Sequence, residues 1–81
     1  MMLFRKTWKH KITGAEGNCT IFGVNIFDYQ WHHTGEKVIV SDCVYHQRHV
    51  FDVYTVHLNG RVRTFAAEEF SNGVWGFYTK R

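Results

Sequence analysis

A thiol and two imidazoles recur at every third position in Asp42-Cys43-Val44-Tyr45-His46-Gln47-Arg48-His49. Two chemistries would use such a set. Zinc takes four nitrogen or sulfur donors, and structural sites commonly draw cysteines in pairs a few residues apart. Cys43, His46 and His49 would supply part of that set, and Cys19, His32 or His33 would have to complete it. No Cys-x-x-Cys spacing exists, since the only cysteines are Cys19 and Cys43. Alternatively Cys43 could act as a nucleophile with His46 or His49 as base and Asp52 behind. The chain offers no nucleophile turn and no evident oxyanion donors, and it has little mass to wall a reaction off from water. A polar connection between two strands explains the stretch more simply. The His32-His33 pair reads the same way, as part of a solvated loop. The sequence therefore predicts a non-enzymatic domain without a cofactor, with a small zinc-binding domain as the distant alternative.

Recognition by surface contacts is the chemistry that remains. Arg5, Lys9 and Lys11 would project from one side of a first strand, Arg61 and Arg63 from one side of a hairpin beside Tyr54 and Phe65, and Lys80 and Arg81 follow at the end. Cations interleaved with rings suit single-stranded nucleic acid, where charge tracks phosphates and rings stack on bases. The same alternation also keeps strand edges soluble. Trp8, Trp31 and Trp75, with four tyrosines, outnumber what a core this small is expected to enclose. Exposed Trp and Tyr are frequent anchors of protein interfaces. The first expectation is a protein-binding module, with a partner or a second copy docking on an aromatic patch. Nucleic-acid binding through the basic strand face is the alternative. The residues offered for either contact are Trp8, Trp31, Tyr54, Arg61, Arg63, Phe65 and Trp75.

These side chains must be positioned by a very small scaffold. With 81 residues, a chain buries only about 60% of its unfolded surface, so one domain spanning 1–81 and a thin stability margin are expected. Large rings offset this, and 17% of the residues are aromatic. A hydrophobic fraction of 44% beside 21% charge argues against disorder. The net charge of +3 permits an acidic partner without requiring one. No apolar run suits a signal peptide or a membrane span, which predicts reduced cysteines, a cytoplasmic setting and no membrane partner. A single Cys19–Cys43 disulfide would need an exported chain.

The elements read as strands. Asn59-Gly60 between two β-branched and aromatic runs signals a two-residue hairpin turn, because a type I′ turn needs positive φ at both central positions. That turn fixes the register, with Leu58 opposite Arg61, Val56 opposite Arg63 and Tyr54 opposite Phe65. Residues 18–27 read as one strand carrying a bulge at Gly23. Residues 36–41 and 74–79 read as two more strands. The segment through Trp8 alternates and carries no helix cap, so it also reads as a strand. Residues 67–71, before Asn72-Gly73, read as a short helical turn with a left-handed cap. The expected fold is all-β: a five- to six-stranded, partly open barrel or curled antiparallel sheet of SH3-like type.

Overall fold

The computed structural model describes residues 8–42 and 47–80. Seven strands appear among them: β1 (Trp8–Ala15), β2 (Thr20–Ile21), β3 (Val24–Asn25), β4 (His32–Asp42), β5 (Gln47–Leu58), β6 (Arg61–Ser71) and β7 (Val74–Lys80). A 3-10 turn at Ile26–Asp28 follows β3. Five strands form one antiparallel sheet in the order β1-β7-β6-β5-β4, and β2 pairs with β3 in a separate hairpin. The all-β reading holds, with β1 and β4 as free edges of an open sheet rather than neighbours in a closed barrel. No helix among the described residues is long and apolar enough to cross a membrane.

The β5–β6 hairpin has the register set by its turn. Leu58 faces Arg61, Val56 faces Arg63 and Tyr54 faces Phe65. Asn59 and Gly60 sit at φ 52° and 78°, the pair of left-handed positions that a type I′ turn demands. Three expectations need correction. Residues 67–71 continue β6 instead of forming a helical turn: Ala67, Glu68 and Glu69 pair with Phe77, Gly76 and Trp75. The Asn72-Gly73 signal closes a second hairpin, with Gly73 at φ 79°. Residues 18–27 are not one strand either. Phe22 and Gly23 form a turn between Ile21 and Val24, which face each other. His32 and His33 lie in β4 opposite Thr55 and Tyr54, not in a loop.

Register shifts between His10 and Ile12, between His33 and Lys37, and between Glu69 and Ser71 bend the sheet. In the β4 irregularity, the Thr34 hydroxyl donates to the Val53 carbonyl at 2.9 Å and Gly35 takes φ 90°. Pairing parity then sorts the core into two clusters on opposite faces. On one face Val56, Leu58, Phe65, Ala67 and Phe77 pack beneath Cys19, Ile21 and Ile26 from the β2–β3 segment. That segment caps the sheet, because a face of apolar side chains must be covered by another layer. On the other face Trp8, Val38, Phe51, Val53 and Ala66 form the second cluster, with Tyr78 packed against it. Trp8 and Val38 come from the two edge strands, which in a flat sheet would stand four spacings or about 19 Å apart. Their membership of one cluster fits a sheet that curls.

Candidate functional site

Several rings proposed as surface contacts belong to the core. Phe65 is fully buried and Trp8 is only 8% exposed. Trp31 makes edge contacts with Tyr54, Phe65, Trp75 and Phe77 at centroid distances of 5.1–5.8 Å. Its indole N–H donates to the Ile26 carbonyl at 2.9 Å, which ties the cap to the residue that follows it. Tyr54 stacks on Phe65, and desolvation raises the Tyr54 phenol above its ordinary pKa. Trp75 stacks on Phe77 and donates to Glu16 Oε1 at 3.3 Å. These half-buried rings serve the attachment of cap to sheet. The exposed large apolar residues are others, among them Tyr29, Ile39, Val50 and Val62.

The cations behave differently. Lys9, Lys11, Arg61 and Lys80 are exposed and Arg63 is half-buried. Strand pairing gathers them at one end of the sheet. Lys9 faces Thr79 across β1–β7, and Arg61 and Arg63 open β6 where β7 ends at Lys80. The carboxylates Glu68 and Glu69 occupy the opposite half of β6, and Glu16 follows the far end of β1. Among the described residues none of these five cations pairs with a carboxylate. Lys37, elsewhere on β4, does: its Nζ lies 2.6 Å from Asp52 Oδ1, which holds the Asp52 carboxyl below its ordinary pKa.

An open groove of about 490 Å³ runs through this basic end. Lys11, Arg63 and Lys80 line it, with Thr64, Thr79 and the Phe22-Gly23 turn. Among the described residues that line it there is no carboxylate. Phe22 has φ 57° and Gly23 φ 80°. A left-handed conformation costs a side-chain-bearing residue about 1–2 kcal/mol, and Asn or Gly is the usual occupant of such a position. Here the turn sets a ring against a cation: the Arg63 guanidinium carbon lies 4.4 Å from the Phe22 centroid. Lys80 Nζ similarly lies 5.6 Å from the Trp8 ring. Phe22 escapes a sequence reading that treats residues 18–27 as one strand, although an aromatic-Gly pair flanked by β-formers could equally have signalled a turn.

The metal and thiol candidates are not assembled by the described residues. Cys43 and His46 lie outside them. His49 sits on β5 with its Nδ1 3.6 Å from Glu68 Oε1 and its ring 5.3 Å from that of Phe70. No cluster of three His, Cys, Asp or Glu side chains suited to a metal ion occurs among the described residues. Cys19 is a free, buried thiol whose Sγ donates to the Ala15 carbonyl at 3.5 Å, and burial pushes its pKa up. A raised pKa disfavours the thiolate that nucleophilic chemistry needs. Comparison with models of known protein families, with curated proteins and with solved structures finds no match.

Proposed function

We propose that this domain is a non-enzymatic binding module that takes single-stranded nucleic acid on its basic end. The observation that carries this reading is the set of five cations, Lys9, Lys11, Arg61, Arg63 and Lys80, none with a carboxylate partner among the described residues. A polyanion would satisfy them together, because each phosphate neutralised releases a condensed counterion. The groove beside them offers hydroxyls and an aromatic side chain, which suits a flexible strand whose bases can reach a ring. The rival reading, a protein partner docking on an aromatic patch, loses most of its surface to the core. What supports it still is the exposed pair Ile39 and Val50, which face each other across β4–β5. The free thiol of Cys19 suits a reducing, cytoplasmic setting.

Fluorescence anisotropy with a labelled oligothymidylate tests the proposal. Neutralising four or five phosphates predicts a log–log salt slope of roughly −3, at about −0.7 per phosphate. Arg61→Glu combined with Arg63→Glu is expected to weaken binding at least tenfold, measured where the variant is still folded because Arg63 also packs on Phe22. Absence of salt-dependent binding by the native protein would overturn the reading, as would tighter binding to duplex than to single strands.

A further inference from the structure

We infer that the Phe22–Arg63 pair is a stacking platform for one nucleobase, with the adjoining phosphate held in the groove by Lys11. The inference rests on the nucleic-acid reading and assigns a role within it. Its first support is conformational. Phe22 occupies a left-handed turn position at φ 57°, beside Gly23 at φ 80°, where asparagine would fit with less strain. The ring is half-buried against the core cluster beneath the cap and also lines the groove, so the strained turn serves both contacts. The second support is the partner. Arg63 sits against the ring, half-buried, with no carboxylate to hold it among the described residues. A guanidinium is planar and stacks on rings, so the pair can present a flat cationic surface to a base. The third is the neighbourhood. Lys11 lines the same groove as the pair, which places a cation for a phosphate beside the platform, whereas the Lys80 ammonium lies over Trp8 on the other face.

The chemistry fits a base better than a bare anion. Free phosphate would need only the cations and would gain nothing from a strained phenylalanine. Stacking on any base is possible because every base has a π-face, so little sequence preference is expected.

Phe22→Asn separates this role from a structural one. Removing a stacking ring should weaken oligothymidylate binding about tenfold at every salt concentration and leave the salt slope unchanged. The melting temperature should change little, because relief of the left-handed strain offsets the packing lost with the half-buried ring; affinity is read where the variant is folded. Lys11→Ala should instead reduce the slope by about 0.7, the share of one phosphate. Should Phe22→Asn fail to fold, Arg63→Lys makes the same test, since it keeps the charge and removes the planar group; it is expected to weaken binding with the slope unaltered. Native affinity in both variants would overturn the platform while leaving the nucleic-acid reading intact. Displacement of the oligonucleotide by sodium phosphate beyond the effect of sodium chloride at equal ionic strength would also overturn it, making the groove a plain anion site. No binding by the native protein would overturn both.

Discussion

At the end of the sheet where β6 turns into β7, the carboxylates of Glu16 and Glu69 are engaged by their own chain, whereas at the opposite end the cations meet no carboxylate among the described residues. Glu69 Oε2 accepts the Gly73 N–H at 3.0 Å and closes the turn between those strands. Glu16 Oε1 accepts the Trp75 indole N–H, and the Glu16 backbone N–H donates to the Gly73 carbonyl at 2.7 Å. Glu68 stands beside His49. At the basic end Arg63 and Lys80 lie over rings, and among the described residues no ion pair holds Lys9, Lys11 or Arg61. The acids fasten strands and turns together. The bases repel one another and fasten little, which is what a surface kept for an external anion requires. Stability and binding should therefore separate along the length of the sheet.

The contrast sharpens most under substitution at the acidic end. Glu16→Ala with Glu69→Ala removes two side-chain acceptors, each worth about 0.5–1.5 kcal/mol. Because both sites are exposed, the expected loss is near the lower bound for each, about 1–2 kcal/mol in total, read from the urea midpoint. That is a large share for a domain this size, whose whole stability is expected to be about 4–12 kcal/mol. Oligonucleotide affinity, measured where the variant is still folded, should not change. A loss of affinity with intact folding would break the division between the two ends.

Glu68 tests the same division through pH. Burial raises its carboxyl pKa, Asp52 adds to the rise and His49 opposes it. Its Oε1 is buried without a hydrogen-bond partner, His49 Nδ1 being too far at 3.6 Å. A carboxyl whose pKa is higher folded than unfolded stabilises fully below the unfolded value and loses that contribution as pH rises through the folded one. Glu68→Gln should therefore stabilise the protein at pH 7, by about 1 kcal/mol at most. The advantage should shrink on acidification and vanish below about pH 4, where the native carboxyl is protonated in both states. Urea titrations across that range check it, and an advantage that grows with acidity would contradict it.

Local signals made part of this arrangement legible in sequence. The β5–β6 register followed from Asn59-Gly60, because two left-handed positions leave a hairpin little choice. The alternation of Lys and Arg also placed Lys9 and Arg61 at the surface, while Arg63 is half-buried against Phe22. What failed were judgements that depend on another layer. Trp31 sits in an unremarkable polar stretch, yet the cap laid over the sheet makes it the hub of the ring cluster. Phe65 and Trp8 lie on strands bearing cations, but sheet curvature and the cap bury them. Asn72-Gly73 needs only one left-handed residue and so serves a hairpin as readily as a helix end. The groove joins β1, β6, β7 and the β2–β3 turn, and no spacing along one segment could announce it.

The smallest expected effect is also the one most specific to the basic end. Lys9→Ala with Lys11→Ala removes two exposed cations that have no carboxylate partners among the described residues. Surface substitutions of this kind usually change stability by less than about 0.5 kcal/mol. Here the sign should favour the variant, because Lys9 and Lys11 lie near Lys80 and Arg63, and removing like charges relieves repulsion. That gain should be greatest at low ionic strength and fade as the Debye length falls to about 3 Å in molar salt. Thermal melts of native protein and variant at both salt concentrations make the comparison. A destabilised variant would mean that these lysines are held by contacts within the fold, and the basic end would then resemble the acidic one.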